Sequence, residues 1–598
     1  MNEQDKLFAM RHSGAHVLAA AVTELYPGVK LGVGPVIDDG FFYDLSLPRA
    51  ISEEDLAAIE AKMREIVARD DAFRREEMPI EAAIAFFKKA GQDFKVSLLS
   101  DLKEKGTTKI RPEEMQDVGG GADMASLYHT GSFVDLCRGP HVAKASEVSD
   151  AFKLTKVSGA YWRGDEKNPQ MTRVYGVLFA SKKELDAYLT MLEEAKKRDH
   201  RKLGAELGLF AYSPLVGPGL PLFTPKGASM RRALEEFVWS FNRQYGYERV
   251  WIPHLAKADL YKTSGHWDKF QDDIFHVTSK KTDEPFVLKP MNCPHHAQIY
   301  ASSPRSYRDL PVRFAENTTV YRDENTGQLA GLTRVRCITQ DDAHIFCTPE
   351  QVKDELTDIA KIVEGFYKAF DMSLSIQLSV HDPEKPEKYL GSPELWQQAE
   401  GALEGLLKEM GKAYEVGVGE AAFYGPKIDF MATDAIGRTW QLATAQLDFN
   451  QPERFELEYA DSDGTKKRPV MVHRAILGSV ERFLGVIIEH YAGAFPMWLA
   501  PVQVRLASVG EDHVAHAKKL AGDLSEAGIR VEVDASDEKL GKKIRNAALM
   551  KVPWTIVVGG KEAEGGDLQA KVFGSEEALA MPQAELVARA TDAARMPA

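Results

Sequence analysis

Cysteine is scarce. Four residues, Cys137, Cys293, Cys337 and Cys347, in a chain of 598 cannot knit a disulfide framework, and no two form a CxxC pair. A reducing, cytoplasmic setting is expected. A basic excess is also missing: the net charge is −14, from 75 basic and 89 acidic residues. That excludes a protein that coats nucleic acid non-specifically, but leaves room for a shaped RNA held by local basic patches. Long apolar runs are absent. The nearest, "FLGVIIEHYAGAFPMWLA", contains Glu489, His490 and Pro496, and reads as a buried helix that stops. The polar start "MNEQDKLFAM" has no secretory signal. There is no GxxxxGK[ST], no GxGxxG opening a helix after a strand and no HExxH. A nucleotide, if bound, is held by some other fold.

With 44% hydrophobic and 27% charged residues over this length, several soluble domains are expected. No internal repeat interrupts them. Residues 1–180 mix helices and strands. "SGAHVLAAAVTELYP" has helical spacing with Ser13 and Gly14 in its first turn, and "RVYGVLFAS" reads as a strand. Residues 181–205 read as one long charged linker helix. Residues 206–497 hold Pro/Gly punctuation and β-like runs such as "YERVWIP" and "RTWQLATAQLDF", which predict a large antiparallel sheet with helices. Residues 498–598 alternate strand and helix, predicting a small α/β domain around a largely parallel sheet.

Three constellations carry chemistry. His12 and His16 in "RHSGAH" lie one helical turn apart on one face, and "CRGPH" supplies Cys137 and His141 on a turn. The four could close a structural zinc site, or line a pocket in which imidazoles position water. In "VYRDENTGQLAGLTRVRCITQDDAH", Arg322 and Glu324 precede a loop, and Arg334 and Arg336 follow it, alternating with apolar residues. Arginines on both limbs suit phosphate oxygens; a salt-bridged surface hairpin is the plainer reading. In "HRAILGSVERFLGVII" a strand leads through Gly478 to Arg482 on an apolar helix, where a buried guanidinium wants an anion.

Together these pieces resemble the three signature motifs of class II aminoacyl-tRNA synthetases. Motif 1 resembles "MRRALEEFVWSFNRQYG" with "YERVWIP", motif 2 the Arg322–Ile338 hairpin, and motif 3 Gly478–Arg482. "TSGHW", "KPMNCP", "RVRCITQDDAHIFC", "FYGPKIDF" and "WQLATAQLDF" resemble the threonyl-specific family, and "RHSGAHVLAAA", "YWRGD" and "VDLCRGPH" resemble its editing domain. The likeness runs in order along nearly the whole chain. It implies a multidomain α+β and α/β protein: an editing domain (1–180), the linker helix (181–205), a class II catalytic domain (206–497) and an α/β anticodon-binding domain (498–598). It implies ligation of threonine to its tRNA with ATP and Mg2+, and hydrolysis of mischarged seryl-tRNA. Cys293, His344 and His473 match the ligands of one catalytic-site Zn2+. Arg322 and Arg482 match the arginines that grip ATP, with Lys427 and with His266 near the reacting tRNA end. Glu324, Arg334, Gln340, Asp342, Tyr424, Gln441 and Gln446 match residues of the threonine and adenylate pocket. His12, His16, Lys95, Asp135, Cys137 and His141 match the editing site, read as metal-free. A homodimer through motif 1 is implied.

The chain departs from the family pattern in places. Ile338 replaces a phenylalanine that stacks on adenine, Cys337 replaces a glycine, and His295 replaces the glycine two residues after Cys293. The family's N-terminal ubiquitin-like domain is not expected here, since the editing helix begins near residue 10. "LQAKVFGSEEALAM" lacks the paired arginines of the anticodon-facing strand, leaving Glu562 and Glu564 as candidates. Two other functions compete: a synthetase-like RNA binder that does not charge, and a zinc hydrolase built on the N-terminal pairs.

Overall fold

The computed structural model describes residues 3–105, 123–165, 167–576 and 578–597. The chain divides into two compact units, Met1–Glu193 and Glu194–Ala598. Among the described residues no helix is long and apolar enough to cross a membrane.

The first unit is built around α1 (Glu3–Leu25), whose Ala9, Val17, Leu18, Ala19, Ala21 and Val22 are fully enclosed. The helix starts earlier than expected, so Ser13 and Gly14 sit mid-helix instead of in the first turn. Gly14 is there for close packing: a Cβ would come within 2.8 Å of the Phe41 ring. That ring belongs to β1 (Gly40–Ser46). Helix α2 (Leu56–Arg69) buries Leu56, Ile59, Met63 and Ile66 in the same core. Strands β2 (Arg74–Pro79), β3 (Met124–Thr130) and β4 (Phe133–Leu136) form a three-stranded sheet over α3 (Asp93–Lys105), with Leu98, Leu99, Leu102, Leu127 and Leu136 enclosed between them. Strands β5 (Phe152–Tyr161) and β6 (Gln170–Leu178) complete a five-stranded antiparallel sheet with β1.

The expected single linker helix is two: α4 (Lys182–Arg198) and α5 (His200–Glu206). Asp199 breaks it, with ψ 118°, and its carboxylate accepts the Arg201 amide at 2.8 Å. A short acidic side chain gains more as an N-cap than in a helix interior.

The second unit takes in the last turn of α4, then α5 and the long α6 (Pro225–Gln244), capped by Thr224. "YERVWIP" contributes only β7 (Glu248–Arg249), because the chain turns out of the sheet before Pro253, which has no amide to donate. Helix α7 (Cys293–Ala301) follows. The sheet then gains β8 (Val312–Tyr321), β9 (Cys337–Cys347), β10 (Ser373–Val380) after α8 (Val352–Lys368), β11 (Glu415–Val418), β12 (Lys427–Thr433), β13 (Thr439–Asp448) and β14 (Val470–Ser479). Its spatial order is β7-β8-β9-β14-β13-β12-β10-β11. The interior pairs are antiparallel, and only the two edge strands run parallel to their neighbours. Helices α6, α8 and α9 (Val480–His490) cover one face with Leu234, Phe237, Ile359, Val363, Phe366, Phe483 and Ile487. The other face is the floor of the site.

One expectation about the motif 2 hairpin changes. β8 and β9 stop at Tyr321 and restart at Cys337, so Arg334 and Arg336 lie on the connecting loop and do not alternate along a strand. Near the C-terminus, β15 (Val504–Ser508), α10 (Val514–Glu526), β16 (Val531–Asp534), α11 (Leu540–Leu549), β17 (Trp554–Val558), β18 (Leu568–Val572), β19 (Ala578–Met581) and α12 (Gln583–Ala593) build an α/β layer. Its sheet, β16-β15-β17-β18-β19, is parallel for three strands and antiparallel for the last two.

Candidate active sites

On β9 the even-numbered side chains Ile338, Gln340, Asp342 and His344 share one face, as a strand's period of two requires. Cross-strand register extends that face sideways. His344 lies opposite His473 on β14, His473 opposite Gln446 on β13, and Gln446 opposite Lys427 on β12. Four residues far apart in sequence thus form one row, stepping about 4.8 Å per strand.

Cys293, at the start of α7, meets this row. A ligand atom from each of Cys293, His344 and His473 lies within 4.8 Å of the others, and all three residues are buried. The second nitrogens are held. His473 Nε2 is 2.9 Å from Asp448 Oδ2, and His344 Nδ1 is 2.8 Å from His296 Nδ1. Fixing one imidazole nitrogen aims the other, as metal ligands require. Burial, followed by His473 and Arg474, holds His344 well below the usual histidine range, in the neutral form a metal needs. Burial pushes the Cys293 thiol up. A divalent cation reverses that preference, because a coordinating thiol is deprotonated. The donor set fits zinc: one thiolate and two imidazoles, with a fourth position for a ligand.

Around the group stand the expected pocket residues. Tyr424 stacks on His473, with centroids 4.8 Å apart, and its hydroxyl donates to Gln446. Asn292 donates to Gln340 (3.2 Å) and Asp342 (2.9 Å). Lys427 pairs with Asp429 and does not reach the cavity described next. His266 is fully buried, its Nε2 3.6 Å from Cys293 Sγ, so it stands at the metal group. Burial, then His473, Arg322 and Arg454, hold its pKa down at about 3.

A cavity of about 700 Å³ opens beside this pocket, lined among others by Arg322, Glu324, Arg334, Ile338, Gln340, Gln441 and Arg482. Among the described residues Arg322 and Arg482 have no carboxylate partner, and the Nε of each has no hydrogen-bond partner. Burial depresses both guanidinium pKa values. Arg322 donates one Nη to Met291 Sδ at 3.3 Å, with Glu324 and Asp273 nearby but not in contact. Two half-buried guanidinium groups without a directly paired carboxylate suit an anion. Arg334 is instead paired with Glu324 at 2.7 Å, and Arg336 donates to the Glu324 carbonyl.

In the first unit, His12 Nε2 is 3.4 Å and His141 Nε2 3.0 Å from Cys137 Sγ. Ser13, missed in the sequence, holds His141 Nδ1 at 3.0 Å. Ligand atoms of His12, Cys137 and His141 lie within 4.8 Å of one another, but His16 is outside that set. It packs edge-on to Phe133, and its Nε2 has no hydrogen-bond partner among the described residues. Burial, then His12, Lys95 and His129, lower its pKa to about 3. Next to it Lys95 Nζ meets Asp135 Oδ1 at 2.8 Å, both almost fully enclosed. Tyr43 donates to the other Asp135 oxygen and accepts from Lys95 at 3.2 Å. His12, His16, Tyr43, Lys95, Asp135 and Cys137 line one small pocket.

The chain matches three family models. They are the tRNA synthetase class II core domain (G, H, P, S and T) over residues 275–491, the anticodon binding domain over 503–592, and the threonyl and alanyl tRNA synthetase second additional domain over 125–175. It is 47% identical over 596 residues to the threonine–tRNA ligase of Gloeobacter violaceus, covering 98% of this chain and 92% of that one. The chain belongs to the threonine–tRNA ligase family. The ligase of Rubrobacter xylanophilus is 48% identical over 567 residues, covering 94% of this chain and 85% of that one. Among solved structures, the RNA binding domain of threonyl-tRNA synthetase from Cryptosporidium parvum superposes with TM-score 0.64 at 36% identity, covering 67% of this chain and 99% of that one. A putative threonyl-tRNA synthetase from Aeropyrum pernix gives 0.57 at 30% identity, over 67% and 97%.

Within this class II ligase frame, four further residues escaped the sequence reading: Asn292, His296, Asp448 and Tyr43. Asn292 and His296 flank the zinc-type cysteine on the same short segment, a signal that proximity alone could have raised. Asp448 and Tyr43 carry none, because their partners come from other elements. Glu562, a candidate for reading the anticodon, instead accepts the Gly559 amide at 2.9 Å and caps its own short helix. Glu564 remains exposed.

Proposed function

We propose that this enzyme activates threonine with ATP and transfers it to its tRNA at the β9–β14–β13–β12 face, and that the first unit hydrolyses seryl-tRNA. The observation that carries this reading is the junction of a Cys293/His344/His473 metal group with a cavity holding two unpaired arginines. Cys293, His344 and His473 would hold Zn2+, which when bound supplies an open position that selects an amino acid bearing a hydroxyl. Tyr424, Gln446, Asp342 and Gln340 surround the amino acid. Arg322 and Arg482 neutralise the triphosphate with its Mg2+, and Glu324, Arg334, Gln441 and Ile338 receive the nucleoside. Lys427 and His266 flank the pocket: Lys427 from the end of the cross-strand row, His266 from beside Cys293.

Serine keeps the hydroxyl and lacks one methyl, a difference of only about 1–3 kcal/mol. That gap makes the second pocket necessary. There Cys137, His12 and His141 form a hydrogen-bonded set, neutral His16 offers an unpartnered Nε2 that can hold a water, and the Lys95–Asp135–Tyr43 group offers a cation beside it. We read this hydrolysis as metal-free, so chelation with EDTA should leave it intact. Supporting a homodimer through the motif 1 region, Trp251 of "YERVWIP" stands 77% exposed. Free cysteines support a cytoplasmic setting.

The deciding measurement is threonine-dependent exchange of pyrophosphate into ATP, with zinc counted per chain and tRNA charging followed with threonine and serine. Exchange with one zinc is expected. Zinc-loaded protein that exchanges nothing would end this reading in favour of a non-charging RNA binder.

A further inference from the structure

The wall of the nucleotide cavity includes the turn 330–335, which contributes Ala330, Thr333, Arg334 and Val335. Its own bonds close it at the base: the Ala330 carbonyl accepts from Thr333 N (3.0 Å), Thr333 Oγ1 (2.7 Å) and, weakly, Arg334 N (3.4 Å), and the Ala330 amide donates to the Arg334 carbonyl (3.1 Å). The apex residue Leu332 is fully buried, so its amide needs a partner. That partner comes from outside the motif 2 hairpin. Leu332 N donates to His200 Nε2 at 2.9 Å.

An amide can only donate, so Nε2 of His200 carries the lone pair. The proton of the neutral ring therefore sits on Nδ1, and Nδ1–H donates to Glu489 Oε1 at 2.6 Å. The His200 amide donates to the same oxygen at 3.0 Å, while Arg438 holds the other at 2.6 Å. Glu489 lies near the end of α9, the helix that begins beside Arg482. The contact is tight on every side. Gly331 has φ +54°, and a Cβ there would fall 2.2 Å from His200 Nε2. A Cβ on Gly485 of α9 would meet Thr333 at 3.3 Å and His200 at 3.6 Å. Asp199, which starts α5, is what turns His200 into this position.

We propose that His200 is a positioning residue for nucleotide binding, which fixes the 330–335 turn against α9 by accepting the Leu332 amide while donating to Glu489. Thr333 and Arg334 are thereby held at the cavity. The inference rests on reading that cavity as the ATP site. His200 touches no substrate; it acts through Leu332, and ties the motif 2 loop to the motif 3 helix through one neutral imidazole.

The test separates the two bonds in the full-length, zinc-loaded protein. In His200→Asn the amide nitrogen replaces Nδ1–H, but nothing reaches Leu332. In His200→Gln an amide oxygen is offered near the place of Nε2. Pyrophosphate exchange should show the ATP KM of His200→Asn raised about tenfold, one hydrogen bond's worth. The threonine KM should stay within about twofold, and His200→Gln should recover most of the loss. Arg482→Ala, assayed alongside, tests the cavity. If it leaves the ATP KM unchanged, the ATP-site reading falls and this inference with it. If Arg482→Ala raises the ATP KM and His200→Asn does not, the His200 inference alone is refuted. It is also refuted if His200→Asn and His200→Gln lose ATP and threonine binding equally alongside a common fall in Tm, for the role is then merely structural.

Discussion

Lys95→Met is the most informative single change in the first unit. Lys95 and Asp135 form an ion pair at 2.8 Å with side-chain exposures of 2% and 5%. Methionine keeps the length of the lysine stem and removes the charge. The Asp135 carboxylate then stays buried with only the Tyr43 hydroxyl and the Leu136 amide as donors. Breaking a buried pair from one side costs about 3–5 kcal/mol. The two surviving donors put the expected cost near the lower end, about 3 kcal/mol, within the ~5–15 kcal/mol of a typical domain. Hydrogen exchange of α1 amides reads this directly, because α1 lies at the centre of the core and opens with the unit. Its slowest amides should exchange on the order of a hundredfold faster, at about 1.4 kcal/mol per decade. Asp135→Asn should cost a similar amount by stranding Lys95. The double variant should lose about 2 kcal/mol less than the sum, since neither charge remains. All three variants should lose seryl-tRNA hydrolysis and keep pyrophosphate exchange. A loss under about 1 kcal/mol, or strict additivity, would refute the argument that this pair is a desolvated unit.

Two further outcomes follow from the geometry. His16 titrates at about 3 when folded against about 6.5 unfolded, so below pH 6.5 only the unfolded unit gains that proton. Stability therefore falls with pH from 6.5 towards 3, by about 2 kcal/mol at pH 5. The urea midpoint should drop between pH 7 and 5, and His16→Gln should flatten the slope; a midpoint already flat in the parent protein contradicts the assignment. Ile338 lines the nucleotide cavity from β9. Ile338→Phe should lower the ATP KM about three- to tenfold by ring stacking, read by pyrophosphate exchange, and an unchanged KM would mean that adenine does not lie there.

The period-two pattern in "CITQDDAHIFC" announces a strand with Gln340, Asp342 and His344 on one face, and local spacing suffices for that. The pairing of His344 with His473 and Gln446 is not local. It is set by strand register across β9, β14 and β13, which nothing in one sequence encodes visibly; only the family likeness pointed to those residues. The linker misled because its charged helical pattern runs unbroken through Asp199, whose capping role depends on where the chain must turn. The motif 2 loop misled for a related reason. Arg334 and Arg336 alternate with apolar residues as a strand would, yet Glu324 draws both onto the loop. In the first unit, "RHSGAH" placed His12 and His16 on one helix face correctly, but only the fold separates them, giving His12 to Cys137 and leaving His16 among aromatic rings.

The cross-strand row has a consequence for how the chain is made. Because side chains alternate along a strand, a one-residue slip of β14 against β9 would carry His473 to the covered side of the sheet. Cys293 arrives from a helix outside the sheet, so the three donors meet only when both the slip and the docking of α7 are right. An ion that binds all three then rewards the native pairing over its near misses, by the linkage that lets any ligand stabilise the form it binds. For a nascent chain, an ion held by all three donors would thus act on assembly, favouring one register of the sheet over its neighbours.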